Sequence, residues 1–494
     1  MNTGKWIKAG AVLAILAMLT AACGSSSKKQ NSSSATTAGN STATSSAPAA
    51  NTTPGDVIPK AATNTGFGQD ASNPKLCHGA AGWTLDTSKC PSDWNPTQGI
   101  SPTEIKLFTS LPKSGPLAGF GLLADGATAY FNYVNDHGGI GGKKITLETK
   151  DDQYTPANTK TNVDEALQTN KFAAMPVLLG TPNNLAVWDE MNQECMPELL
   201  AGTGAPQWGD VTGHPWTTGM QLDYFTEARL WATWLKGKFP NGAKVASITF
   251  NSDFGNSYVK GFKSGIKGSN ITLVGNFPHD PTAPNIDNQF TSAAATKADV
   301  LLLQTTGVYC TQGMADVEKG SWHPTVVMSG TCGSLGQFFQ PLIVQGLTGK
   351  DTYLIQNFKD VNDPANANDP IFKAYQEQMA KQSLDAKKTT FFTGWIFAWF
   401  MTEFLQDASN YKGGLNRANI MVAARSAAQN NPILINGLTS KMEGAKDAYM
   451  TEGGQMVQYT VTDPKTLGSF KPAGDLINLE GKLGTYDNVK NSEG

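Results

Sequence analysis

Charge is sparse and balanced in this chain of 494 residues, where 38 Lys and Arg face 41 Asp and Glu for a formal net charge of −3. No basic cluster stands out locally, so there is nothing to hold a nucleic acid. Signatures of catalysis and metal binding are also missing. There is no HExxH, GxSxG or CxxC, and the five histidines are scattered without ligand spacing. Hydrolytic and zinc chemistry are disfavoured, and no cofactor or metal is expected. Long apolar runs are absent outside the N-terminus. No later segment has the roughly 20 apolar residues needed to cross a bilayer. The apolar fraction of 39% is ordinary for a globular protein, and the length leaves room for two or three domains.

What is present is a regular alternation of strands and helices. Ile105, Leu107 and Phe108 open a strand that ends at Ser110. A helical run from Leu122 to Val134 then sets Leu123, Ala127, Tyr130, Phe131 and Val134 on one side. Gly138 and Gly139 stop that helix, and Ile145 to Leu147 re-enter the sheet through a right-handed parallel crossover. The pattern continues with a strand over Phe172 to Leu179, a helix over Pro182 to Asn192 and a strand over Met196 to Ala201. Helices at Phe225 to Lys236, Tyr258 to Ile266 and Asn288 to Lys297 alternate with strands at Val245 to Phe250, Ile271 to Val274, Val300 to Gln304 and Thr325 to Met328. Such alternation implies an α/β fold with parallel sheets covered by helices on both faces. The strands are too many for one compact sheet.

At the N-terminus, Lys5 and Lys8 precede the apolar run Ala9 to Ala22, and Leu19-Thr20-Ala21-Ala22-Cys23 follows the layout of a signal peptide over residues 1–22. It resembles a bacterial lipobox, with Thr20 where an aliphatic residue is usual, which implies lipidation at Cys23 and a membrane-anchored, extracytoplasmic protein. Residues 23–67 collapse to Ser, Thr, Ala, Asn and Pro, a composition that cannot bury enough surface to fold and that reads as a disordered tether. Residues 68–102 read as an N-terminal loop segment. With Cys23 lipidated, the remaining cysteines are odd in number, leaving one thiol over or paired between chains. Cys77 and Cys90 are close enough in sequence to staple the loop segment. Cys310 and Cys332 each follow a strand of one βαβ unit, so a bridge between them is geometrically plausible. Cys195 reads as a small buried hydrophobe.

Six motifs occur in order. They are Ser114-Gly115-Pro116-Leu117-Ala118-Gly119, the turn Asn135 to Lys144, and Asp151-Asp152-Gln153-Tyr154-Thr155-Pro156. Gly180-Thr181-Pro182-Asn183-Asn184-Leu185-Ala186, Pro215-Trp216-Thr217-Thr218-Gly219 and Asn251-Ser252-Asp253-Phe254-Gly255 follow. Each is weak alone. Together, spread over about residues 103 to 480, they resemble the type I periplasmic binding proteins, in the leucine-isoleucine-valine receptor branch that serves ABC importers. The resemblance implies two doubly wound lobes joined by a multi-strand hinge. The first would take residues 103–221 plus 352–440, the second 222–351 plus 441–494. A small-molecule ligand would lie in the cleft beyond the strand ends, and ABC permease subunits would be the partners.

By position, the resemblance puts Thr181, Asn183, Gly202 and Thr203 in the first lobe's binding loops, with Ser110 and Ser114 nearby. From the second lobe come Phe254, as the aromatic covering the ligand, and Thr306, Tyr309 and Thr331 at further strand ends. Trp208 is a candidate for the rim. Receptors of this branch place an acid beyond the strand matching Thr325 to Met328. Here Ser329-Gly330-Thr331-Cys332-Gly333-Ser334 contains none, so the ligand is expected to lack an α-ammonium group and to be a small carboxylate or neutral amide. Asp253 is the one nearby acid. Two rival readings share the sequence. Gly119-Phe120-Gly121-Leu122-Leu123-Ala124 fits a dinucleotide pattern but lies well past the strand end at Ser110, and Asp151-Asp152 could be catalytic carboxylates but fits a turn and helix cap better. A receptor that signals instead of feeding a transporter would use the same cleft.

Overall fold

The computed structural model describes residues 56–63, 66–429 and 431–492. The signal peptide, Cys23 and the tether up to residue 55 lie outside the described residues. The first lobe is built on the unit that opens the alternation. Strand Glu104–Leu111 pairs in parallel with Lys144–Asp151, with Ile105 opposite Ile145 and Leu107 opposite Leu147. A parallel bridge from Leu107 to Ala174 extends this pair toward the parallel strands Met175–Pro176, Glu198–Ala201 and Thr217–Gly219. Helix Leu122–Asp136 forms the crossover and buries Leu123, Ala127, Tyr130, Phe131 and Val134, the expected face. Gly138 and Gly139 end it at φ of 102° and 61°, a region that suits residues without a Cβ.

That helix packs against Thr389–Asn410, a 22-residue helix buried almost all round. Two glycines make the approach possible. A Cβ on Gly126 would lie 2.0 Å from the Phe391 carbonyl oxygen, and one on Gly394 would lie 2.0 Å from that of Leu123. Among the described residues no helix is long and apolar enough to cross a membrane.

The second lobe carries a seven-stranded sheet. Ile271–His279, Ala243–Phe250, Val300–Gln304, Thr325–Met328 and Thr352–Gln356 run parallel in that order, and Gly453–Thr460 and Ser469–Asn478 add two antiparallel strands. Each lobe has its own apolar core.

Several expectations need correcting. The chain does not return to the first lobe at Thr352, because Val326 and Val327 pair with Thr352 and Tyr353 and hold that strand in the second sheet. Residues 441–452 do not join the second lobe, since Met442, Ala448 and Met450 are buried in the first core. The strand expected over Phe172 to Leu179 shrinks to Met175–Pro176 because Val177 sits at φ 66° and interrupts the ladder. The helix expected over Pro182 to Asn192 splits into Thr181–Leu185 and Trp188–Gln193, with Val187 non-helical between them. The segment over residues 68–102 is more than a loop. It forms a three-stranded antiparallel sheet of Gly68–Gln69, Leu76–His78 and Thr84–Asp86, whose Cys77 and Leu85 enter the first core. The last tether residues are docked too, with Tyr130 donating to the Val57 carbonyl and Ala62 N–H to Asp407.

The cysteines pair as Cys310–Cys332, one of the two expected bridges, and as Cys90–Cys195. Among the described residues Cys77 is the free thiol, and it is buried. The strand Leu76–His78 turns Cys77 inward, while the Trp94 indole N–H donates to the Cys195 carbonyl and brings the chain near Cys90 against the first lobe.

Candidate functional site

Parallel strands leave their carboxyl ends on one edge, and the loops from both lobes converge there on an interior space of about 200 Å³. Of the ten residues expected at a ligand, Thr181, Gly202, Phe254, Thr306 and Thr331 line this cleft. Thr203 stands directly behind it, its hydroxyl 2.6 Å from that of Thr181 and its carbonyl 3.0 Å from the Trp208 indole nitrogen. Trp208 is thus a buried prop and not the rim residue expected.

The other four are pulled away by hydrogen bonds of their own. The Ser110 and Thr159 hydroxyls both donate to Asp152 at 2.9 Å, and the Asn183 amide donates to Thr159 at 2.8 Å, so Ser110 and Asn183 belong to a buried network behind the cleft. Ser114 donates to Asp151 at 2.6 Å, and Asp151 also accepts from the Lys113 and Gln153 N–H groups. The two aspartates therefore shape the loops around them, as the turn reading holds. Tyr309 donates to the carbonyls of Pro281 and Ala283 and does not reach the cleft. The glycines of the dinucleotide-like pattern lie in a short turn, Ala118–Gly121, seven residues past the strand's end at Leu111 (118 − 111), where Gly119 faces Gln337 of the other lobe.

Most of the lining has no local signature in the sequence. Phe120, Phe338, Phe358, Phe392, Ile396, Phe397 and Leu354 give the cleft a largely apolar wall. Tyr154, Gln221, Tyr224 and Glu227 add polar atoms, as do Lys359 and Asp360 after the strand Thr352–Gln356. Lys359 is committed to Asp369 at 3.0 Å and to the Pro432 carbonyl at 2.8 Å. Burial raises the Asp360 carboxyl to about 6.

Glu227 overturns the premise that no acid stands beyond Thr325–Met328. It comes from the first turn of helix Tyr224–Lys238, which Asp223 caps by accepting the Thr226 N–H at 2.8 Å. Its Oε1 accepts the Gly330 N–H at 2.7 Å, so the carboxyl occupies the loop the sequence leaves without an acid. Its Oε2 lies 2.7 Å from the Tyr258 hydroxyl oxygen. Burial pushes this carboxyl up to about 8, against the opposing pull of those two hydrogen bonds. Asp253, the acid the sequence offered, is exposed on helix Asp253–Ile266 and does not line the cleft.

Contacts also span the cleft. Leu117, from the loop after the first strand, is 3% exposed and buried in the second lobe's core, where a Cβ on Gly307 would meet its Cδ2 at 2.2 Å. Phe120 lies on Phe338 with ring centroids 6.2 Å apart, and Thr390 donates to Gln337. The disulfide Cys310–Cys332 ties together the loops carrying Thr306 and Thr331.

Comparison with solved structures finds this architecture repeatedly. A fatty acid ABC transporter substrate-binding protein from Thermomonospora curvata matches with a TM-score of 0.63 at 20% identity, over 81% of this chain and 97% of its own. A branched chain amino acid ABC transporter protein from Thermus thermophilus with bound valine matches at 0.67 and 13% identity, over 78% of this chain and 99% of its own. LivJ from Streptococcus pneumoniae, in complex with isoleucine, matches at 0.59 and 16% identity, over 76% of this chain and 100% of its own. No curated protein sequence matches. The sequence pattern of one family, described as periplasmic binding protein, fits residues 104–461 and so spans the first lobe's strands from Glu104 and the second lobe's sheet except its last strand, Ser469–Asn478. With that match laid over two parallel-sheet lobes facing a common cleft, the chain belongs to the periplasmic binding protein family.

Proposed function

We propose that this protein is the extracytoplasmic solute receptor of an ABC importer, anchored through Cys23, and that it captures a small organic molecule with a predominantly apolar body between its lobes. The observation that carries this reading is the cleft wall. Phenylalanines and aliphatic side chains from both lobes supply most of its lining surface, and threonines, Gln221, Glu227, Gln356 and Asn357 are among the polar groups set between them. Pockets of this kind gain affinity from apolar burial and take orientation from the polar contacts. The compared proteins are named for fatty acids or hold valine or isoleucine, all ligands with apolar bodies, which supports the same reading. A role in binding and not in turnover agrees with family membership.

The test is a melting-temperature screen of the full chain against carboxylates, amides, amino acids and hydrocarbon-bearing metabolites. A ligand present at about 100 times its Kd should add about 2.7 kcal/mol of stability. Thr393 lines the cleft from helix Thr389–Asn410, and Thr393→Trp should abolish the shift while leaving the unliganded melt in place. Hits that survive Thr393→Trp would place binding elsewhere and refute the proposal.

A further inference from the structure

Glu227 does not act alone. Its Oε2 is 2.7 Å from the Tyr258 hydroxyl, which is 2.7 Å from Ser329 Oγ, which is 2.8 Å from Thr331 Oγ1. Thr331 lines the cleft, and Ser329 and Tyr258 are fully buried. Tyr258 cannot turn out of the chain, because it stacks on Trp231 at 4.8 Å and on Tyr224 at 4.7 Å. Ser329 Oγ also accepts the Thr331 N–H at 3.2 Å, and Glu227 Oε1 accepts the Gly330 N–H. Each hydroxyl has one proton to give, so the direction of the whole chain follows from its first member.

With Glu227 protonated, its O–H donates to Tyr258, Tyr258 to Ser329 and Ser329 to Thr331. The Thr331 proton is then left to point into the cleft. With Glu227 ionised, every arrow reverses. Tyr258 donates to the carboxylate, Ser329 to Tyr258 and Thr331 to Ser329, and Thr331 can offer the cleft only a lone pair. Resting on the reading of this cleft as the ligand site, we infer that Glu227, Tyr258, Ser329 and Thr331 form a hydrogen-bond relay that presents a donor at neutral pH. The relay selects a ligand whose head group is an acceptor, a carboxylate or carbonyl, over one bearing an ammonium.

The electrostatic surroundings agree. The groups facing Glu227 are Asp223 at its own helix start, Tyr224, and Tyr258 from the neighbouring helix. The anion Asp223 and burial both favour the protonated form, whose pKa of about 8 keeps the relay in its donor direction at neutral pH.

The experiment uses three probes that share a six-carbon body: hexanoate, methyl hexanoate, which only accepts, and hexylamine. Binding to the full chain is measured by calorimetry from about pH 6 to about pH 9, where the charges of the probes stay constant. Hexanoate and the ester should bind better than the amine at about pH 6, and the ester should lose about tenfold in affinity as pH rises through the Glu227 transition, one hydrogen bond's contribution. Glu227→Gln should hold the relay in the donor direction, its amide N–H donating to Tyr258, and make ester affinity flat with pH. Tyr258→Phe should also remove the pH dependence, by cutting the relay. A pH-independent ester affinity in the native protein, or a preference for hexylamine, overturns the relay. If no probe binds at any pH, the acceptor assignment falls. The cleft reading itself then stands or falls on whether screening hits are blocked by Thr393→Trp.

Discussion

Breaking the disulfide Cys90–Cys195 should cost this protein more stability than breaking Cys310–Cys332. The first closes a loop with a sequence separation of 105, the second one of 22. In the chain-entropy treatment the long loop contributes about 4.7 kcal/mol and the short one about 3.4 kcal/mol. A folded unit of roughly 430 residues has an unfolding entropy of about 0.9 kcal/mol per degree, so the expected losses in Tm are about 5 °C and about 4 °C. The larger loss should appear in Cys195→Ser, in Cys90→Ser and, without further increase, in the double variant. Cys77→Ala should keep the bridge intact and cost only the packing of a small buried side chain. Differential scanning calorimetry reads the losses, and peptide mapping without reductant reads the pairing. A Cys195→Ser protein melting within a degree of the native one, or a mapped Cys77–Cys90 peptide, would refute both the pairing and the loop argument.

Two further outcomes follow from buried contacts. Leu117→Ala removes a side chain that the first lobe buries in the second lobe's core beside Gly307, so about 3 kcal/mol should fall on the closed arrangement, weakening the best ligand by about two orders of magnitude. A lower Tm with unchanged affinity would show that Leu117 does not serve closure. Asp447 and Glu452 are 1% and 2% exposed and face each other, and burial raises both carboxyls above their ordinary values. The native state therefore holds more protons than the unfolded one above about pH 4, and stability should fall as pH rises from there toward about 9. Glu452→Gln should flatten that fall in melting curves taken across the range, whereas a Tm that climbs with pH in the native protein would contradict the assignment.

Local patterning made much of the framework legible. The face of helix Leu122–Asp136, its glycine stop and the strand re-entry at Ile145 all follow from side-chain periodicity and from the left-handed turn that Gly138 and Gly139 supply. The strands before Cys310 and Cys332 were legible for the same reason, and their parallel register brings the two thiols together. Half of the expected cleft residues line it. Ser110, Ser114, Asn183 and Tyr309 do not, because hydrogen bonds formed only in the folded chain draw them to Asp152, Asp151, Thr159 and the carbonyls of Pro281 and Ala283. Cys77 and Cys90 are neighbours in sequence, yet a short sheet turns one of them into the core.

By itself, the sequence determined an α/β architecture and the family's order of motifs, since both rest on spacing along the chain. The tertiary structure alone decided what the cleft offers a ligand. Phe392 and Ile396 reach it from a helix far along the chain, and Glu227 meets Gly330 across a separation of 103 residues. An acid sought beside Thr331 in sequence was supplied by a helix beside it in space, because burial and hydrogen bonding act over distance through the fold and not along the backbone.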